Sequence, residues 1–296
     1  MAGQLDPKLT GLGCNSNKRF RVVASHLNCL PFCDVVKTCV IHVKEINEME
    51  KKFDWDYALS LPPNGAVDFN DYVNTAYENY EISEDELYEV TKIYFTKCYL
   101  SHDNPRAQSG NNGDEFHYYH SHLPIIEALN KNGTFCDIGC ANGYLLEMVH
   151  KWASGTGYVL QMFGVDISEG LIELAQRRLP HWRDNFFIGN AHFWKPEKKF
   201  NYIHIRGELV EYKEPPQKPK RKRELDHKMI FEHYMENYLI DGGRFIIGPY
   251  WYENEDIVLK GLLSWGYTPT GHSEKTHYNK PNLLRKVIWV DKLSST

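Results

Sequence analysis

A nucleic-acid backbone finds little to hold on this chain. Acidic residues number 39 against 34 basic ones, giving a formal net charge of −5, so the global positive footprint that grips phosphates is missing. No run of residues has the length and apolarity of a membrane span. Val22 to Val43 comes closest, and His26, Asn28, Asp34 and Lys37 interrupt it. Lys18, Arg19 and Arg21 precede it as the head of a signal peptide would, but the apolar run is too broken and no small-residue cleavage site follows. A cysteine framework is absent as well. The 7 cysteines are odd in number, and Cys29 and Cys33, a close pair near the N-terminus, have no matching second pair among their neighbours for zinc. The expectation is a cytoplasmic protein with reduced thiols and no metal site.

Basic residues are also missing locally. Between Phe53 and Thr91 there is no Lys or Arg, while Asp54, Asp56, Asp68, Asp71, Glu78, Glu81, Glu84, Asp85, Glu86 and Glu89 all fall there. Ser83 with Glu86 three residues on is the signature of a helix N-cap and its capping-box partner. Residues 49–114 therefore read as short helices with an acidic face, a helical lid or substrate region closed by a polar loop from Ser101 to Asp114. Residues 1–48 lack a clear amphipathic period and read as an irregular extension or a disordered tail, with Met49 an alternative natural start.

What is present lies mostly after Asn132. A helix is expected from Glu115 to Asn130. Short apolar runs then alternate with helical patterns: strands at Thr134–Ile138, Met162–Asp166, Asn185–Ile188, Phe200–Ile205, Arg244–Gly248 and Leu284–Val290. The helices between them are Leu145–Trp152, Ser168–Leu179, Glu224–Leu239 and Ile257–Trp265. Pro180 stops the second of these, and Asp241-Gly242-Gly243 marks a turn before the fifth strand. This alternation specifies an α/β domain over 115–296, an open and mostly parallel sheet wound on both faces.

The decisive stretch is Asp137-Ile138-Gly139-Cys140-Ala141-Asn142-Gly143, between the first strand and a helix. Gly139 lets backbone approach a ligand, and Gly143 opens the helix without a side chain in the way. A dinucleotide-binding loop needs G-x-G-x-x-G. Here Ala141 replaces the second glycine and Tyr144 the third, and the Asp137 carboxylate would repel a diphosphate. A cofactor with a cationic amino group would be attracted by it.

The loop resembles motif I of the class I, Rossmann-like S-adenosylmethionine-dependent methyltransferases, D/E-x-G-x-G-x-G. Gly164-Val165-Asp166-Ile167-Ser168 is similar to the second motif of that family, and Gly189-Asn190-Ala191 to its adenine-side turn. Asp241-Gly242-Gly243 before a strand also suits the family. The resemblance implies a seven-stranded sheet with an N-terminal helical lid, and S-adenosyl-L-methionine as cofactor. It places the cofactor against Asp137, Gly139, Cys140, Ala141 and Gly143. Asp166 would accept hydrogen bonds from both ribose hydroxyls, with Ile167 beside it, and Asn190 and Ala191 would meet the adenine. Tyr118, Tyr119 or His120 would close the pocket, unless these aromatics simply pack on the sheet. Chemistry in the family sits after the fourth strand, here Arg206 to Tyr212, which makes Glu208, Glu211 and Tyr212 the candidates for orienting or deprotonating an acceptor. Pro249-Tyr250-Trp251-Tyr252 would wall a substrate pocket or cap the core.

On the acceptor, the fourth-strand turn lacks the N/D-P-P-Y/F pattern of amino-methylating nucleic-acid enzymes. No cysteine follows Cys140 to act as a cytosine C5 nucleophile. Lys213 to Arg223 carries six basic residues, but its prolines suit an exposed linker. The expected activity is methyl transfer to an O or N atom of a small-molecule acceptor, with the acidic lid favouring a cationic one. An RNA or protein methyltransferase, or a non-catalytic cofactor-binding module, are the alternatives.

Overall fold

Segments rich in Ile, Val and Phe recur after residue 132, and their side chains alternate between two buried faces. In the computed structural model, which describes residues 53–62, 66–111, 114–192, 194–206, 227–248, 254–274 and 286–293, these segments pair into one sheet. The strands are β1 (Gly133–Ile138), β2 (Leu160–Asp166), β3 (Phe186–Ile188), β4 (Phe200–Arg206), β5 (Leu239–Gly248), β6 (Gly271–His272) and β7 (Ile288–Asp291). Their order is β3-β2-β1-β4-β5-β7-β6. Pairing is parallel from β3 through β5, while β7 runs antiparallel to both β5 and β6.

The helices in chain order are α1 (Trp55–Ser60), α2 (Ala66–Glu78), α3 (Glu84–Leu100), α4 (Pro105–Gln108), α5 (Glu115–His122), α6 (Tyr144–Gly155), α7 (Glu169–Arg178), α8 (His227–Asn237) and α9 (Asn254–Ser264). Phe135, Met162, Tyr202 and Ile246 face one side of the sheet and share a core with Leu146 and Val149 of α6 and Ile172 of α7. Their sequence neighbours Cys136, Phe163, Ile203 and Ile247 face the other side and pack on Phe231 and Tyr234 of α8 and Val258 and Leu262 of α9. Burial of both faces is what a parallel sheet requires, and the doubly wound α/β expectation holds.

Several boundaries differ from the sequence reading. The helix expected over 115–130 ends at His122, and Leu123–Ala128 continues as 3₁₀. Pro124 has no amide proton to donate to an α-helical partner, so the tighter turn takes over. The polar loop after Ser101 contains α4, where Asn104 accepts from the Arg106 amide and Pro105 occupies the first turn. Asp241-Gly242-Gly243 is not a turn ahead of β5 but an irregularity within it. Pairing with β4 passes from Phe200–Leu239 to Tyr202–Arg244, and Gly242 takes φ +65°. The two-residue β6 has too little sequence to carry a strand pattern, and reading from sequence missed it. The extension 1–48, Glu208, Glu211, Tyr212, the basic stretch 213–223 and Pro249–Tyr252 lie outside the described residues.

Helices α1 to α3 have their own apolar centre, with Phe69 of α2 stacked on Tyr94 of α3 at a centroid distance of 3.8 Å. The capping box at the start of α3 is fully formed: the Ser83 hydroxyl accepts from the Glu86 amide at 3.2 Å, and Glu86 Oε2 accepts from the Ser83 amide at 2.8 Å. Ser83→Ala leaves one of these donors without its partner, and is expected to destabilise the protein by about 1 kcal/mol. A urea unfolding curve reads this directly, and an unchanged midpoint would count against the cap. No described helix is long and apolar enough to cross a membrane.

Candidate functional site

The site is assembled by register. β1 and β2 end side by side, with Asp137 opposite Gly164, so the loop leaving β1 crosses the carboxyl end of β2. Gly164 makes that crossing possible, because a Cβ there would stand 2.6 Å from Cys140 Sγ. The loop amides then close on Asp166: the Ala141 N–H donates to Oδ2 and the Ser168 N–H to Oδ1, each at 2.9 Å. Burial pushes the Asp166 carboxyl up to about 6, against the downward pull of those two amides. Gly139 and Gly143 have φ of +81° and +72°. At Gly143 a Cβ would also press on Ala175 of α7 at 3.0 Å.

Ala141 adopts φ +46°, a left-handed conformation that strains a residue with a Cβ. Ala141→Gly is expected to raise stability by up to about 1 kcal/mol, because relief of that strain exceeds the added chain entropy of glycine. Thermal melts of the two proteins compare them, and a lower Tm for the glycine variant would contradict the argument.

Beyond β3, Asn190 Oδ1 accepts from the His192 amide at 2.9 Å, and the Ala191 carbonyl accepts from Tyr234 of α8 at 2.6 Å. These contacts fix the turn expected to face an adenine. Together with Ile167, Ile188 and Gly189 it borders a cavity of about 390 Å³ whose opposite wall is α3, through Asp85, Tyr88, Glu89 and Lys92. Helix α3 is joined to this turn where the Tyr88 hydroxyl meets His192 Nδ1 at 2.6 Å. The contribution of α3 was not foreseen, since nothing in an amphipathic acidic helix says which cavity it borders. The acidic residues at this cavity are Asp85 and Glu89, not the Asp68, Asp71 and Glu78 of α2.

Asn142 is wholly buried and ties the loop to α4, donating to the Pro105 carbonyl at 2.8 Å and to Gln108 Oε1 at 3.2 Å. Between these two residues in the chain, Arg106 carries a buried Nη1 without a hydrogen-bond partner among the described residues. Tyr118 of α5 is buried between His122 and Tyr144, at ring separations of 4.3 and 5.0 Å, and its hydroxyl also lacks a partner. Burial raises its pKa well above the ordinary tyrosine value, so it stays protonated. Tyr119 is exposed instead, with its ring edge on Trp152.

Asp137 has a partner that the sequence reading did not name. Asp137 and His204 are direct partners on β1 and β4, and their side chains meet at 2.7 Å through Asp137 Oδ1 and His204 Nδ1. The carboxylate is thus engaged within the sheet end. Nothing in the local sequence marks His204, since a histidine in an apolar strand is ordinarily a satisfied core residue.

Residues 115–228 match a family model described as a methyltransferase domain. This part of the chain is thus similar to methyltransferase domains. Its sequence is 32% identical over 73 residues to trans-aconitate 2-methyltransferases of Yersinia pestis and Yersinia pseudotuberculosis, spanning 25% of this chain and 26% of theirs. The chain thus matches about a quarter of the length of those curated relatives. Among solved structures, the methyltransferase fold resembles the N-methyltransferase NodS of Bradyrhizobium japonicum in complex with S-adenosyl-L-homocysteine, at TM-score 0.49 and 13% identity over 68% of this chain and 98% of that one. It also resembles a TehB-like methyltransferase of Corynebacterium glutamicum, at TM-score 0.44 and 16% identity over 67% and 97% of the two chains.

Proposed function

We propose that the protein transfers the methyl group of S-adenosylmethionine to an oxygen or nitrogen atom of a small-molecule acceptor. The observation that supports this best is Asp166, a carboxylate at the end of β2. Each of its oxygens accepts one backbone amide and keeps a further lone pair for a vicinal diol. The adjoining cavity has the dimensions of a small-molecule site and is closed on its far side by α3.

The donor set fits the cofactor along its length. Asp166 would hold the ribose, while Ile167, Asn190 and Ala191 would hold the base between the β3 turn and α3. The glycine-bearing backbone of 139–143 would run beside the amino-acid portion. The unpartnered Nη1 of Arg106 suits a carboxylate there, and Tyr118 would cover the end near Asp137. The bound sulfonium supplies an activated methyl group with a good leaving group. What the chain adds is position and the exclusion of water. Glu208, Glu211 and Tyr212 remain candidates for orienting the acceptor.

The relatives are named for trans-aconitate, an anion, whereas the cavity wall on α3 here carries Asp85 and Glu89. We favour a neutral or cationic acceptor, drawn by the long-range field of the acidic segment from Asp54 to Glu89 rather than by contact with this wall, where Lys92 pairs with Glu89. Methyl-tritiated S-adenosylmethionine incubated with cell extract, with Asp166→Ala as the blank, tests the reading. Label in the small-molecule fraction that disappears in the variant is the expected result. Label in RNA or protein would overturn the choice of acceptor.

A further inference from the structure

The sheet end carries a buried Asp137–His204 pair and, on that histidine, an open ring nitrogen. Both side chains are almost fully buried, at 4% and 1% exposure. A carboxylate only accepts, so the bonded Nδ1 carries the hydrogen, and in the neutral ring Nε2 then presents its lone pair. Among the described residues, no group hydrogen-bonds to Nε2. A bare, buried acceptor carries a desolvation cost, and the fold preserves space in front of it. Ser121, His122, His204, Arg206 and Gly248 border a void of about 10 Å³ there, room for about one water-sized group. A Cβ at Gly248 would stand 3.1 Å from Nε2 and close that space. The ring is held from behind by Phe135, stacked at 6.1 Å.

We propose that His204, oriented by Asp137, accepts the proton of the methyl acceptor. This rests on the methyltransferase reading above. In the step, the acceptor O or N forms a bond to the methyl carbon, and the carbon–sulfur bond breaks with its electron pair going to sulfur. The acceptor's O–H or N–H proton passes to His204 Nε2. Asp137 balances the imidazolium that results, which later yields the proton to solvent. Among the described residues, the other titratable or charged side chains bordering this space are Arg206 on β4 and His122 on α5.

The test combines two readouts. Histidine-¹⁵N-labelled protein, observed by long-range ¹H–¹⁵N correlation from pH 6 to 9 with S-adenosylhomocysteine as the probe ligand, should show His204 as the Nδ1–H tautomer with unprotonated Nε2. In the labelled-methyl assay, His204→Gln should lose about 10²- to 10⁴-fold in transfer rate while S-adenosylhomocysteine still binds. The variant's rate should keep rising with pH where the wild type levels off. A proton on Nε2 throughout that range, or a His204→Gln variant as fast as wild type, would overturn the proposal. Failure of the wild type to bind S-adenosylhomocysteine would overturn the methyltransferase reading itself, and so the two failures are separable. The spectrum needs no variant, which keeps the test decisive if His204→Gln does not fold.

Discussion

Asp166→Ala is expected to weaken binding of S-adenosylhomocysteine by about 100-fold or more. Two charge-assisted hydrogen bonds to ribose hydroxyls contribute about 1.5–3 kcal/mol each. A combined loss of only about 3 kcal/mol already corresponds to two orders of magnitude in Kd. The variant also frees the Ala141 and Ser168 amides that close the loop on Asp166. Titration calorimetry measures the affinity, and a change below about fivefold would mean that the ribose sits elsewhere.

The same residue sets a pH dependence. Its carboxyl is raised by burial to about 6, and only the ionised form can accept both hydroxyls fully. Affinity is therefore expected to be flat above pH 7 and to fall by about tenfold at pH 5, one linked proton giving a factor of ten per unit below the pKa. The effect on stability has the opposite sign. A carboxylate raised in the fold favours folding while protonated, and that advantage is lost as pH rises from about 4 to 6. Asp166→Asn, neutral at every pH, should therefore be more stable than wild type at pH 7 and bind the cofactor worse. Urea melts at pH 5 and pH 7 separate the two variants. If Asp166→Asn gained nothing at pH 7, burial would not be the source of the shift.

Phe69→Ala is expected to cost about 3–5 kcal/mol, the range for emptying a buried aromatic position. Phe69 is fully buried and lies flat on Tyr94, with 4° between the rings. Tyr94 is anchored in turn by donating to the Pro62 carbonyl at 2.7 Å. Removing the ring loosens α2 against α3, and α3 is one wall of the cavity beside Asn190. Cofactor affinity should fall together with stability, although Phe69 is not among the residues lining that cavity. A destabilised variant with unchanged affinity would show that the α3 wall does not confine the ligand.

How much of this was legible in the sequence differs from element to element. β1, β2 and β4 declared themselves as short apolar runs ending at Ile138, Asp166 and Ile205. Ser83, Ser168 and Pro180 punctuated their helices as local chemistry dictates, and the three cofactor-side motifs fell on the strand ends expected of them. What was missed depends on register and long-range contact. That Asp137 meets His204 follows only once β1 and β4 are aligned residue by residue, because the two are far apart in sequence. That α3 walls a cavity depends on how a layer packs, which the spacing of Ser83 and Glu86 does not encode. Pro124 could have warned that the helix over 115–130 would change character, since its missing amide proton is visible in the sequence alone.

The strand order has a consequence for how the chain is made. β7 lies between β5 and β6 although it follows both in sequence. A nascent chain therefore cannot complete its sheet until residues 288–291 have left the ribosome. Until then β5 presents an open edge, bordered by Phe245 and Ile247, to any other strand that passes. Parallel crossovers already make such sheets slow to assemble. During synthesis this polypeptide thus has an interval in which a chaperone covering β5 would raise the yield of native protein without changing its final stability.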